Sequence, residues 1–264
     1  MSTKLQKLQL LHDVHVIWQD TNPTFFDVFH KRSTDNGASF DPVENISSNS
    51  RGSEIPQISS SGSNVYIVWT DNTLDPGNTE TFFRGSTDRG DTFAPTENLS
   101  NNEGQSVKLQ IASSGSNVYV VWEDKIPFDP GEVFFRASTD EEANFEATEN
   151  LSSNPEDVFE PKISVSGNSV YVIWTEVQNI FFRKSMDSGD SFGPVINLST
   201  NSGNSTVPDI SNSGMDVYVV WQDTDLGNNE IFFRRSMDNG DNFDATLNIS
   251  NNIGTSQLPQ VAVS

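Results

Sequence analysis

Five copies of one turn phrase, one tryptophan per copy, and strands that are apolar on both faces predict an all-β fold. The architecture they imply is a five-bladed β-propeller with four antiparallel strands per blade. The phrase occurs as STDNGASF (33–40), STDRGDTF (86–93), STDEEANF (138–145), SMDSGDSF (185–192) and SMDNGDNF (236–243). Its starts lie 53, 52, 47 and 51 residues apart, and the only tryptophans, Trp18, Trp69, Trp122, Trp174 and Trp221, keep the same rhythm.

Each unit reads "P-x-I-S-x-S-G", then "V-Y-V-V-W", then "I-F-F-R-x-S", the turn phrase and "x-N-L-S", which is four short strands separated by turn chemistry. The VYVVW runs are apolar at successive positions, so both of their faces are expected to be covered. Sheets of that kind pack as blades between two neighbours, and a closed ring leaves no end exposed. The chain, 1–264, therefore reads as a single domain with blade repeats of about 51 residues and a poorly matched segment at 1–11. The C-terminal LPQVAVS (258–264) matches the first strand of a unit, as in IPQISSS (55–61), while the N-terminal HDVHVIW (12–18) enters at the second strand. Residues 259–263 are thus expected to pair beside residues 14–18 and to complete blade one. The rival for that place is KLQ (4–6), which aligns with Lys108, Leu109 and Gln110.

Composition narrows the function classes. A net charge of −22 and a pI near 4.2 argue against nucleic acid and anionic membrane surfaces as partners. There are no cysteines, so disulfides and thiolate metal sites are excluded. No stretch approaches the roughly 18 apolar residues of a membrane helix. The segment MSTKLQKLQLL lacks the apolar core of a secretory signal. The expected state is a monomer in a secreted or cell-surface setting, with a glycan or a protein as partner.

In the turn phrase, Asp35, Asp88, Asp140, Asp187 and Asp238 each open a tight turn, where a carboxylate accepts hydrogen bonds from backbone N–H groups ahead of it. Gly37, Gly90, Gly189 and Gly240 supply a position that calls for positive φ, while blade three carries Glu142 there. The closing Phe is expected to pack back onto its blade. The pattern S-x-D-x-G-x-x-F resembles the Asp-box, or BNR repeat, of sialidases and related β-propellers, and all five copies do so. The resemblance implies a hairpin joining the third and fourth strands, on the face opposite the catalytic one. It further implies three arginines gripping a carboxylate, a tyrosine nucleophile with a glutamate, and an aspartate acid/base.

That catalytic set does not carry over. Tyr66, Tyr119, Tyr171 and Tyr218 all occupy one place in V-Y-V-V-W. Arg84, Arg136, Arg183 and Arg234 share another, with Lys31 as the blade-one counterpart, and no R-I-P motif is present. His15 takes the Tyr place and His30 a Phe place in blade one. Catalysis needs an asymmetric constellation, which a uniform ring lacks. The function expected is therefore non-catalytic binding or scaffolding. The alternatives are a sialidase-like glycoside hydrolase, or a recently amplified or designed repeat scaffold without a dedicated ligand.

Function belongs where the repeats disagree, and they disagree most in the loop after each Trp. Blade one places Phe25 and Phe26 there, blade three Phe128, and the other variable link, NPEDVFEP (154–161), holds Phe159. Apolar side chains on polar loops are candidate ligand contacts. The same loops begin with acids two residues after Trp (Asp20, Asp71, Asp124, Glu176, Asp223). They end with Asp27, Glu80, Glu132, Asn179 and Glu230. Such facing charges need compensation, from the repeat arginines, from capping by the loop, or from a bound cation. The oxygen-rich DTDLGNNE (223–230) suits Ca²⁺, which makes Asp223, Asp225 and Glu230, with Asp71 and Glu80, candidate ligands. The sequons at Asn45, Asn98, Asn150, Asn197 and Asn248 all occupy one repeat position, so symmetry accounts for them; Asn204 alone is out of register.

Overall fold

The computed structural model describes residues 12–21, 24–49, 51–75, 77–125, 130–140, 144–152, 157–200, 203–225 and 227–264. Among them every regular element is a strand. Blade one holds β1 (Val14–Thr21), β2 (Phe26–Ser33) and β3 (Glu44–Asn45). Blade two holds β4 (Ser53–Ser61), β5 (Asn64–Asp75), β6 (Asn78–Ser86) and β7 (Glu97–Asn98). Blade three is β8 (Gln105–Ser114), β9 (Asn117–Lys125), β10 (Glu132–Ser138) and β11 (Glu149–Asn150). Blade four is β12 (Val158–Ser166), β13 (Ser169–Glu176), β14 (Asn179–Ser185) and β15 (Ile196–Asn197). Blade five is β16 (Thr206–Ser213), β17 (Asp216–Asp223), β18 (Glu230–Ser236) and β19 (Leu247–Asn248). Each blade is an antiparallel meander in chain order, an arrangement that fits a five-bladed propeller.

The core lies between blades. Val118, Val120 and Trp122 of blade three pack against Tyr66, Val68, Phe83 and Leu99 of blade two, and the same layer recurs at the next two junctions. This explains the unbroken apolar runs: in β9 and β13 every residue from the Val to the Trp is fully buried. A blade taken alone would leave both of those faces in water.

Two devices lock successive blades. The first is the repeat arginine. Arg136 Nε and Nη2 donate to the carbonyls of Glu146 and Phe145 in its own blade, at 2.8 and 3.0 Å. Its Nη1 donates to the carbonyl of Leu99 in the preceding blade at 3.2 Å. Arg84, Arg183 and Arg234 do the same toward Ile46, Leu151 and Leu198. The second device is the closing Phe of the turn phrase. It packs edge-on against the preceding blade, Phe145 on Phe83, Phe192 on Phe135 and Phe243 on Phe182, with centroids 4.9–5.1 Å apart. The same ring also packs back onto its own blade as expected, under the repeat arginine, with Arg136 Cζ 5.4 Å from the Phe145 centroid.

The turn itself forms as expected. Asp35 accepts from the N–H and hydroxyl of Ser39 and from the Ser33 hydroxyl, and these bonds, the Ser39 hydroxyl foremost, hold its carboxyl down at about 2. Asp187 and Asp238 are drawn to about 2 by the same kind of donation, led by Ser185 and Asn242. Asp88 and Asp140 are held below the usual carboxylate range likewise. Gly189 has φ 87°, and a Cβ there would lie 2.7 Å from Phe135 of the preceding blade, so glycine serves both conformation and close approach. Glu142 lies outside the described residues.

The pairing expected between the two ends of the chain is not part of the described sheets. The first sheet has three strands, and residues 257–264 form no ladder with β1. They lie against blade five instead. Leu258 N–H donates to Gln222 at 3.4 Å, as Ile55 N–H donates to Gln19 at 2.7 Å between blades two and one. Val261 N–H donates to Asp209. The segment thus holds the inner-strand place of whatever blade follows blade five. Its neighbouring face is uncovered: Ile249 is 56% exposed, where its counterparts Ile46, Leu99, Leu151 and Leu198 are buried. Residues 4–6 lie outside the described residues.

The clamp can be tested at blade three. Arg136→Ala leaves three carbonyls without their donor and should lower unfolding free energy by about 2–4 kcal/mol in urea titration. Arg136→Lys should recover less than half of that, since an ammonium cannot reach all three. A loss below about 0.5 kcal/mol would remove the clamp from the account.

Candidate functional site

The turn phrases close one face of the arc, and the loops after each Trp open on the other. At the base of those loops the expected acid pairs are real: Asp20 faces Asp27, Asp71 faces Glu80, Asp124 faces Glu132 and Asp223 faces Glu230, with Glu176 facing Asn179. Their charge is met by hydroxyl and amide donors. Asp71 accepts from Ser53 Oγ at 2.7 Å, from Trp69 Nε1 at 3.1 Å and from Asn49 Nδ2. Glu80 accepts from Ser100 Oγ and from Asn78 Nδ2 at 2.8 Å. Glu230 accepts from Ser250 Oγ and Asn228 Nδ2, and the Ser250 bond is the main reason its carboxyl titrates below the ordinary value. Asp223 accepts from Ser205 Oγ and from the N–H of Asp225. Gly203 passes so close that a Cβ would lie 2.0 Å from Asp223 Oδ1.

The repeat arginines therefore do not compensate these acids; they hold carbonyls. Of the candidate cation ligands, Asp71 stands opposite Glu80 and Asp223 opposite Glu230. Among the described residues no group of three or more His, Cys, Asp or Glu is arranged to hold a metal ion. Capping by the loop accounts for the acids, and it also explains the sequons. The serine of N-x-S is the bridge: Ser100 Oγ accepts from Thr81 N–H at 2.9 Å while donating to Glu80. Ser47 does the same between Val28 and Asp27, and Ser250 between Ile231 and Glu230. The asparagine turns the chain, with Asn98 Oδ1 accepting from Asn101 N–H at 3.0 Å.

Of the four candidate aromatics, Phe128 lies outside the described residues. Phe25 and Phe26 are exposed on blade one, at the mouth of β2, and are not joined to the other aromatic site. Phe159, 40% exposed, stands beside a cavity of about 320 Å³ lined by Lys108, Glu123, Lys125, Glu160, Thr175, Thr206 and Val207. Lys125 Nζ lies 5.1 Å from the Phe159 ring centroid and 2.7 Å from Glu123 Oε1, which is buried. A second cavity, of about 170 Å³, shares Lys108, Glu160 and Val207 and adds Ile55, Gln57 and Lys162, so inner strands of four blades contribute.

What builds this axial cup is a bulge the sequence reading missed. Each inner strand slips register near its start: between Glu54 and Gln57, Val107 and Gln110, Phe159 and Lys162, and Thr206 and Asp209. The residue inside the slip has φ of 53–56°: Ile55, Lys108, Glu160 and Val207, with Leu258 in the C-terminal segment. Positive φ is unusual for non-glycine residues and rarest for β-branched ones, and such strained positions gather where side chains are re-aimed. The signal was present. These five residues alternate between aliphatic (Ile55, Val207, Leu258) and charged (Lys108, Glu160), and two places on Lys162 and Asp209 replace the glutamine of Gln57, Gln110 and Gln260.

Tyr66, Tyr119 and Tyr171 are fully buried, and Tyr66 Oη donates to Ser116 O at 3.3 Å on the turn side.

No family model and no curated protein matches the sequence. Solved structures do match in fold. The intramolecular trans-sialidase of Ruminococcus gnavus superposes with a TM-score of 0.54 at 9% identity, covering 77% of this chain and 72% of that one. The GH93 α-L-arabinofuranosidase of Fusarium graminearum gives 0.55 at 12%, covering 98% and 86%. The Trypanosoma rangeli sialidase gives 0.51 at 13%, with 76% of this chain covering 38% of that one. The chain shares the fold of sialidases and related glycoside hydrolases.

The serine bridge predicts its own cost. Ser100→Ala removes the partner of a buried N–H and of a buried carboxylate, and should cost about 1–3 kcal/mol of stability in a denaturant series. The exposed Ser48→Ala serves as control and should stay within about 0.5 kcal/mol. Equal effects at both positions would contradict the bridging role.

Proposed function

We propose that the chain is a five-bladed propeller of Asp-box type that binds a glycan, without turning it over, on the face opposite its Asp-box turns. The observation that carries this reading is the axial cup. It is the place on that face where an exposed aromatic ring, Phe159, meets a paired Lys125 and Glu123 and two further charged side chains, Lys108 and Glu160. An aromatic face with a few directed polar groups suits a sugar ring, which offers an apolar C–H face and a polar rim. Phe25 and Phe26 offer a separate apolar contact at blade one, with Phe128 as a candidate in the blade-three loop. The trans-sialidase, sialidase and arabinofuranosidase that share this fold act on glycans, which supports a saccharide over a protein partner. The second reading, a glycoside hydrolase, draws on the same likeness and on the two carboxylates in the cup, Glu123 and Glu160. The chemistry against it is the absence, among the described residues, of a free tyrosine or arginine set beside them.

A glycan array, run with and without Ca²⁺, identifies the ligand. Phe159→Ala should then weaken binding by more than about 2 kcal/mol, roughly 30-fold. Asn239→Ala in an Asp-box turn should leave affinity unchanged, and the reverse pattern would place the site on the wrong face. Incubation with fluorogenic sialyl and arabinosyl substrates should release no fluorophore. Release that Glu160→Gln abolishes would establish the hydrolase instead.

The scaffold in this proposal is a ring closed by residues 259–263 beside residues 14–18. Its support is that the two ends carry matching halves of one more inter-blade layer. Blade five offers Ile249 and the inner segment, and blade one offers Phe40, 41% exposed, and Gly37 with open space above it. At the corresponding places Phe243 and Gly240 are packed on the blade before them. Deleting residues 259–264 should lower the melting temperature by several degrees, since about 1 kcal/mol shifts a domain of this size by a few degrees. An unchanged melting curve would show that the segment completes nothing.

A further inference from the structure

In blades two to five the second and third strands share a stacked Tyr–Phe pair with ring centroids 6.1–6.4 Å apart. Blade one has two histidines in those places. The His15 and His30 rings stack at 5.3 Å and 13°, with His15 Nδ1 and His30 Nε2 3.1 Å apart. His30 is 2% exposed, and Phe93 of the blade-two turn meets it edge-on at 5.2 Å. Gly90 of that turn sits directly over the pair: a Cβ there would lie 3.0 Å from His15 Cε1. The histidines thus occupy the seam on which blade two is seated.

We propose that the His15–His30 pair is an acid-sensitive latch between blade one and blade two. At neutral pH one ring donates its N–H to the bare nitrogen of the other, so a single proton serves the short contact. A further proton puts N–H against N–H at 3.1 Å and stacks two cations in a buried seam. The surrounding charges do not offset this. Arg32 on β2 is already paired with Asp41 and with Asp91 of the blade-two turn, at 3.0 and 2.8 Å. Arg89 of the turn is paired with Asp13 beside β1, at 2.5 Å. Both guanidiniums oppose protonation, and Asp13 and Asp41 favour it more weakly than burial resists it. Glu44 of β3 and Asp91 line the neighbouring cavity of about 330 Å³ together with His30, which gives solvent protons a way in.

Burial pushes His30 down to about 4 from an ordinary 6.5, and lowers His15 in the same direction. Between those values the unfolded chain takes up a proton that the folded pair refuses. The stability is therefore complete above about pH 6.5, falls as pH drops toward 4, and levels off there. The Asp-box carboxylates act in a separate window, below their ordinary value of 3.8.

The test compares the wild type with the double variant H15Y/H30F, which restores the pair the other blades use. Hydrogen exchange of residues 14–33 and 86–93 is followed from pH 8 to pH 5 after correction for intrinsic rates. For a single site of this kind the wild-type opening constant should rise roughly 30-fold over that range, and the variant should stay flat. Parallel curves for the two proteins would overturn the proposal. Should the double variant fail to fold, the imidazole C–H resonances of the wild type decide the matter. A His30 midpoint below pH 5 supports the latch, and one near 6.5 refutes it.

Discussion

Everything in this molecule follows from strands that are apolar on both faces and sheets too small to cover themselves. Burying a large apolar side chain is worth about 1.5–3 kcal/mol, and the central strands of blades two to five each carry five apolar residues in a row, where blade one has His15 among them. That gain exists only when a second sheet lies on each side, so the stable unit is the junction and not the blade. The repeat arginine and the closing Phe of the turn phrase are both junction parts. Each is rooted in one blade and makes its decisive contact, a Leu or Ile carbonyl or an aromatic ring, in the blade before it. The same logic makes the uncovered face at Ile249 and the open turn at Gly37 the places where the fold is unfinished within the described residues.

Packing sheets this way brings the second and third strands together at their loop ends with carboxylates face to face. Left alone, such pairs would repel in a half-buried setting. The solution is local: a serine hydroxyl on Asp27, Asp71, Glu80, Asp223 and Glu230, with asparagine amides beside it on four of them. Neutral donors of this kind add no charge, whereas an arginine there would be lost to the junctions. In blades one, two and five the N-x-S string is thus read twice, once by the turn that Asn caps and once by the acid that Ser caps. Its resemblance to a glycosylation signal is a by-product.

The repeats made blade number, strand order, acid pairs and the hydrogen bonding of the turn phrase legible in the sequence, because each rests on local chemistry stated several times over. What stayed hidden depends on neighbours. Nothing in S-x-D-x-G-x-x-F says that Phe192 also leans on Phe135 across a junction. Nothing in the arginine row distinguishes a carboxylate partner from carbonyls. The axial bulge was hidden for a different reason: Ile55 and Val207 at positive φ contradict their own backbone preferences, so a propensity reading places them in plain strand. Of the site itself, Phe159 was legible as an odd aromatic, whereas Lys108, Glu123, Lys125 and Glu160 were not.

Symmetry then becomes an instrument for reading function. A position held alike in all blades is explained by the junction it builds, which is why the tyrosines, arginines and sequons fall silent as functional candidates. A position that breaks the pattern without harming the junction has no such explanation. Two sets of residues meet that condition. The axial residues differ from blade to blade while sharing one strained conformation, so the fold supplies the direction of each side chain and leaves its chemistry free. The blade-one histidines keep the shape of a stacked ring pair and exchange an inert contact for one that holds a proton. In both, the scaffold fixes geometry and the exception carries chemistry, and a nearly uniform set of repeats is the background against which such exceptions can be seen.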